Sequence, residues 1–450
     1  MADSPASVEK FGIEHIPEGA RHGAPNRTFT LWFAANLTVA DYIIGVLTTA
    51  AFGLTVAQAV PVLLLGNLLG GLFLGLSAAM GPKVGFPQMF SSRASFGRRG
   101  NYAPGAFNWV STVGWFTVNT ILGAEAVQAV APSANFGLVA SVLVALQVVI
   151  AVYGHDFIQL FERVMSVVLG SLFIFVFILT LPHLSAVFGL PAVANEETGL
   201  GVAASAGTLA TVFAISFSYL MSWSPYASDY SRYMAPSTSA RRVAAYALAG
   251  GAVASFAVEL IGALVGSINA VPTIGGLYSF AGQFGWVAML TVVLGAMAAN
   301  ALNIYTNALS ALVLDVRARR ATLVVAGGIV GLSLALLAGA SFESFFENFL
   351  LALDYWITPW LAIVLVDYYV KRRTTVAAIE RASSFDFPAI GIYALSILVS
   401  VPFMVPPSAL PYPVGALASL FGGADFSYFI SFVLAAVLTL LVRRRSLAAG

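Results

Sequence analysis

About 20 consecutive, mostly apolar residues are enough for a helix to cross the hydrocarbon core of a bilayer. This 450-residue chain contains twelve such runs. They fall at roughly 29–52, 58–80, 106–131, 136–153, 161–181, 205–228, 244–268, 285–313, 321–340, 345–370, 386–405 and 426–443, and are numbered segments 1 to 12 in that order. In lipid every backbone polar group needs an internal partner. Only 9% of the residues are charged, far fewer than the roughly 25% of a soluble domain. The fold class expected is therefore an all-α integral membrane protein with 12 transmembrane helices.

The basic residues test that count. With the N-terminus cytoplasmic, all 21 Lys and Arg fall on the inner side, from Lys10, Arg21 and Arg27 to Arg443, Arg444 and Arg445. The outer loops and helix ends hold Glu196, Glu197, Glu343, Glu347 and Asp425 and no basic residue. This is the bias of the positive-inside rule. One missed or extra crossing would invert every later loop, so both termini are expected to be cytoplasmic, in a plasma or inner membrane. The polar residues 1–28 read as a cytosolic tail, 29–370 as the core, 371–443 as two further helices and 444–450 as a short cytosolic tail.

Several function classes are disfavoured. A net charge of +1 leaves no electrostatic footprint for nucleic acid. Without cysteine there is no thiolate chemistry. The four histidines (His15, His22, His155 and His183) are scattered, so no metal centre is expected, and His155-Asp156 reads as a solvated pair in a short inner loop. No GxxxxGK[ST] loop, Ser–His pair or matched acid and base points to ATP drive or an enzyme. No cofactor is called for, and a monomer is compatible with the sequence.

Polar and helix-breaking residues cluster in a few segments. Segment 1 carries Asn36, Thr38 and Asp41; segment 6 carries Trp223-Ser224-Pro225; segment 8 carries Asn300, Asn303, Thr306 and Asn307. Segments 1 and 6 are five apart. Breaks in corresponding members of two five-helix inverted repeats mark a substrate site near the bilayer midplane. A proline kink with an interfacial aromatic belt would also explain segment 6 taken alone.

The motifs "GNLLGG" (66–71), "SRASFGRRG" (92–100), "GWFTVN" (114–119), "FERVMS" (161–166), "SPYASDYSRYMAP" (224–236), "NIYTNALS" (303–310) and "PWLAIVLVDYYVKRR" (359–373) follow in order. Together they resemble nucleobase–cation symporter family 1, the cytosine, purine, allantoin and hydantoin permeases, and most closely the purine–cytosine branch. The resemblance implies a leucine-transporter-like core of two inverted five-helix repeats with broken helices 1 and 6, plus two extra helices. It implies a small heterocyclic substrate held between segments 1, 3, 6 and 8, and secondary active symport.

Trp115 and Asn119 lie four apart on one helical face, where one stacks on a flat ring and the other reads its edge. Packing and interhelical hydrogen bonding account for the pair equally well; the resemblance favours the site. Trp223 is the second expected stacking surface, and Asn303, with Asn300 a turn earlier, the amide on segment 8. Asn36 and Thr38 fall near the family's polar contact in segment 1. Asp229 and Arg232, three apart at the inner end of segment 6, read as an end-of-helix ion pair or gate element. Glu125 and Glu259 are intramembrane carboxylates outside any matched motif.

The resemblance also bears on the driving ion. Sodium-coupled members carry segment 8 hydroxyls just before the position matched by Asn303, where this chain has Met297, Ala298 and Ala299. H⁺ is therefore favoured over Na⁺, although backbone carbonyls near Val39 and Tyr42, Asn300 or Thr306 offer other oxygens. Asp41 and, second, Glu162 are the candidate proton-coupling carboxylates. Asp41 fits equally well as a fixed group that satisfies the segment 1 break. An amino-acid or other organic-solute transporter driven by Na⁺ on the same fold is the alternative reading.

Overall fold

The computed structural model describes residues 7–187, 205–269, 271, 273–338, 355–405 and 413–444. Glu196, Glu197, Glu343, Glu347, Asp354, the first part of segment 10 and the 445–450 tail lie outside them. Among the described residues the regular structure is helical, and a helix coincides with each of the twelve segments. These are α1 (Arg27–Ala35), α2 (Val39–Ala50), α3 (Val56–Ala78), α4 (Tyr102–Val130), α5 (Phe136–Tyr153), α6 (His155–Thr180) and α7 (Ala206–Met221). They continue as α8 (Ala227–Ser231), α9 (Ala240–Gly266), α10 (Ile274–Ala281), α11 (Gly285–Val313), α12 (Arg320–Ala338), α13 (Tyr355–Val370), α14 (Phe387–Ser400) and α15 (Ser427–Val442).

By length and composition seven described helices suffice to cross a membrane, and an eighth if α1 and α2 count as one. Helix α4 is 29 residues long, yet it is absent from that set because polar residues punctuate it. That is the pattern of a helix facing other helices rather than lipid.

Segment 1 is two helices. The α1 ladder stops at Ala35, and Thr38, extended in backbone, restarts it by accepting the N–H of Asp41 at 3.4 Å. A side chain that caps a new N-terminus separates the two helix axes, and they bend by 58°. Segment 6 differs. Helix α7 stops at Met221 and a tight 3₁₀ turn covers Ser224–Tyr226 before α8 begins. Pro225 lacks the N–H that would reach the Met221 carbonyl, but Ala206–Ser231 still runs on as one 26-residue rod.

The core forms where α4 packs along α11 and where α9 packs on α2 and α3. Close approach depends on missing side chains. A Cβ on Gly262 would sit 2.1 Å from the Tyr42 carbonyl oxygen, and one on Gly295 2.4 Å from that of Leu37. Small residues let membrane helices approach this way. The second contact seats the bend of segment 1 against α11.

The described part of the N-terminal segment packs against the bundle. Ile16 is buried, Ile16 N–H donates to the Gly85 carbonyl, and Arg21 donates to the carbonyls of Ile16, Pro82 and Met234. Residues 7–26 thus pack against one end of the bundle, beside the ends of α3, α8 and α11.

Candidate functional site

A cavity lies among α4, α7, the 3₁₀ turn and α11. Trp115, Asn119, Trp223 and Asn303 all line it, and so do Tyr219, Ser222, Tyr226 and Ala299. The second four escaped the sequence reading, yet their register was available. Positions 219, 222, 223 and 226 form an i, i+3, i+4, i+7 stripe, and Ala299 precedes Asn303 by four, like Trp115 and Asn119. None of these eight residues is charged.

Aromatic edges hold the stacking faces in place. Trp115 meets Tyr219 edge-on with centroids 5.7 Å apart, and Trp223 meets Tyr226 likewise at 5.2 Å. Trp32 packs behind Trp223 at 5.6 Å. The amides share one hub. Asn300 Oδ1 accepts from Asn119 Nδ2 at 3.2 Å and from Asn303 Nδ2 at 3.3 Å. Asn300 Nδ2 in turn donates to the Phe116 carbonyl at 2.9 Å, Thr120 Oγ1 at 3.3 Å and Gln147 Oε1 at 3.2 Å. Asn300 therefore aims the other two amides and is not itself a lining residue. Asn303 Oδ1 is buried and has no hydrogen-bond partner. A buried acceptor without a partner costs about 1–3 kcal/mol, which a ring N–H in the cavity would recover.

The segment 1 residues sit one layer out. Asn36 donates to the Trp32 carbonyl at 2.8 Å and accepts Trp223 Nε1–H at 2.9 Å. It fixes the ring of a wall residue rather than lining the wall. Thr38 Oγ1 donates to Asp41 Oδ2 at 2.8 Å and lies 3.0 Å from the Tyr219 hydroxyl. Two hydrogen bonds thus connect buried Asp41 to a wall residue. Glu162 is buried and neither carboxylate oxygen has a hydrogen-bond partner. Glu259 accepts from Asn67 Nδ2 and, at 2.9 Å, from Ser216 Oγ, tying α9 to α3 and α7.

The expected Asp229–Arg232 ion pair is replaced by other partners. Asp229 accepts the Gln88 N–H and Thr306 Oγ1–H, each at 2.8 Å. Arg232 reaches the N-terminal segment, with Nη1 2.6 Å from the Gly12 carbonyl and Nη2 3.3 Å from Glu9 Oε1. Glu9 also pairs with Arg320 at 3.5 Å and accepts from Tyr305 and Tyr233. The reason is competition. Glu9, remote in sequence, comes within reach of buried Arg232, whereas both oxygens of buried Asp229 are already taken by Gln88 and Thr306. Burial works against ionisation of Glu9, but Arg320 and Arg232 outweigh it and hold its carboxyl below the ordinary glutamate value.

His155 is likewise buried rather than solvated, stacked on Tyr233 at 4.1 Å.

Comparison with known proteins places this arrangement. The solved structure of Mhp1, a nucleobase-cation-symport-1 family transporter in a closed conformation with bromovinylhydantoin bound, matches with a TM-score of 0.77 at 20% identity, covering 97% of this chain and 94% of that one. At that identity the likeness is one of fold. "Putative purine-cytosine permease YxlA" of Bacillus subtilis is 30% identical, with 96% of this chain and 95% of that protein aligned. Purine-cytosine permease fcyB of Emericella nidulans is 26% identical over 97% of this chain and 88% of its own length. Residues 15–431 match the family described as "Permease for cytosine/purines, uracil, thiamine, allantoin", and the chain belongs to that family of membrane permeases.

Proposed function

We propose that this protein is a secondary active symporter that imports a nucleobase or related neutral heterocycle. Its core is two inverted five-helix repeats within twelve crossings, both termini are cytoplasmic, and it works by alternating access in the plasma or inner membrane. The observation that carries this reading is the cavity. Its walls are aromatic faces, its polar groups are amides that donate and accept, and none of the residues lining it is charged. A flat uncharged ring with several donors and acceptors is complementary to that set. A substrate carboxylate would call for an Arg or a free helix N-terminus.

The coupling ion is H⁺. Ala298 and Ala299 provide no side-chain oxygen on α11, whereas Asp41 stands two hydrogen bonds from the cavity through Thr38 and Tyr219. Glu162 is the second carboxylate for the role. Substrate seated against Tyr219 shifts the partner of Thr38 and thereby the environment of Asp41. The test is uptake of cytosine, purines, allantoin and hydantoins into proteoliposomes, with either a pH gradient in choline buffer or a Na⁺ gradient at equal pH. Accumulation is expected to follow the pH gradient and to be lost in Asp41→Asn. Accumulation that follows only Na⁺ overturns the proton assignment, and proton-driven uptake that survives Asp41→Asn moves the role to Glu162.

A further inference from the structure

The fold brings together two of the four histidines at the cytosolic face, far from the heterocycle cavity. His22, from the N-terminal segment, and His155, from the start of α6, face each other with ring centroids 6.0 Å apart. Between them lies Asp156. Its Oδ1 is 2.6 Å from His22 Nε2 and 3.1 Å from His155 Nδ1. The far nitrogen of each ring is held by a backbone carbonyl: His22 Nδ1 is 2.9 Å from the Ala20 oxygen and His155 Nε2 is 3.2 Å from the Tyr230 oxygen.

Carbonyl oxygens only accept. With its proton on the far nitrogen, each ring donates to that carbonyl and turns a lone pair toward one carboxylate oxygen, which also accepts only. In that state one metal ion engages all three atoms at once; the competing state is a pair of imidazolium rings donating to Asp156.

We propose that His22, His155 and Asp156 form a binding site for a zinc-class divalent cation. Two imidazoles and one carboxylate suit Zn²⁺ and similar first-row ions, whereas Mg²⁺ and Ca²⁺ prefer oxygen throughout. The backbone carbonyls behind the rings are the outer partners that metal-bound histidines usually have. In a tetrahedral zinc site with ~2.0–2.1 Å bonds, ligand atoms sit ~3.3 Å apart. The three ligand atoms already lie within 4.8 Å of one another, so small side-chain rotations complete the set. The fourth position opens on a cleft beside Glu9, Lys10 and Tyr233, where water serves as ligand. Glu9 is engaged by Arg232 and Arg320 and is not needed as a ligand. His22 and Asp156 are each about a quarter exposed, at 25% and 28%, so the ion enters from the cytosol. Once bound, it ties residue 22 of the N-terminal segment to the first turn of α6, across the inner mouth of the bundle.

The test is metal binding by the chelator-washed full-length protein in lipid nanodiscs at neutral pH, with Zn²⁺ or Mg²⁺ as probe and bound metal counted per chain. The expected result is one Zn²⁺ per chain that an excess of Mg²⁺ does not displace. His22→Ala should weaken binding by more than the roughly 10–100-fold that loss of an outer partner costs. Its position on the N-terminal segment leaves the helical bundle intact, so this variant decides the matter if His155→Ala fails to fold. His15→Ala and His183→Ala should bind as the parent does. A parent protein that takes up no Zn²⁺ in preference to Mg²⁺ overturns the proposal. So does a His22→Ala variant with unchanged affinity. Ring nitrogens that are both protonated in imidazole NMR of the Zn²⁺-treated protein would identify protons as the occupants and also overturn it.

Discussion

At the scale of single residues, Asn300 and Asn303 divide the labour that the sequence assigns to both. Asn303 lines the cavity with an unpartnered Oδ1, and Asn300 spends its hydrogen bonds aiming its neighbours. Asn303→Ala or Asn119→Ala removes a polar contact to the substrate and should cost about 1–3 kcal/mol, raising Kd about 5–150-fold. Binding of the preferred heterocycle by thermal shift or calorimetry checks this. Unchanged Kd in both variants means that the cavity is not the substrate site. The pair Trp115/Asn119 was legible because i and i+4 share a helical face. Which of Asn300 and Asn303 faces the cavity was not. That depends on the rotation of α11 against α4, which tertiary packing sets.

At the scale of elements, the segment 1 break follows from residue types. Asn36 and Thr38 favour caps over helix interiors because their side chains compete for backbone groups. Thr38 duly caps α2. Their further roles, Asn36 on Trp223 and Thr38 between Asp41 and Tyr219, need α7 alongside. The α2–α9 crossing makes a sharper prediction. Gly262→Val puts a side chain where a Cβ alone would be 2.1 Å from a carbonyl oxygen. Overpacking costs about 1–3 kcal/mol and more where backbone is the obstacle, so the variant should melt well below the parent or fail to elute as a single species. Gly391→Val, with nothing within 4 Å of its Cβ, is the control and should leave Tm unchanged. Equal Tm for both variants would refute the close crossing.

At the scale of the whole molecule, two predictions concern sidedness and the N-terminal segment. Single cysteines at Ser185 and Ser383 should react with an impermeant reagent from opposite faces. The chain has no native cysteine, so the readout is clean. Labelling of both from one face would overturn the twelve-crossing topology. The N-terminal segment is latched by Glu9, whose carboxyl is held below its ordinary value. A depressed carboxylate contributes stability above the unfolded value, about 4.3, and loses it as pH falls through the folded value. The Glu9 contribution to hydrogen-exchange protection of residues 7–26, read as parent minus Glu9→Gln and corrected for intrinsic rate, should therefore persist from neutral pH down to that range and fall only below it. Glu9→Gln should lose the protection at neutral pH, because it leaves Arg232 and Arg320 without their anion. Parent-like protection in Glu9→Gln would show that the latch lies elsewhere.

The sequence alone determined the class of the molecule, its apolar runs and four of the eight cavity residues, and set the sidedness expected of its loops. All of these follow from local quantities: apolar length against bilayer thickness, the placement of charge, and helical register. Tertiary structure alone decided that residues 7–26 of the N-terminal segment pack against the bundle, that Arg232 pairs with Glu9 rather than Asp229, and that His22 meets His155. Each of these joins residues remote in the chain. Such contacts depend on how helices rotate and dock, which is settled by packing across the whole molecule and leaves no periodicity in the sequence to read.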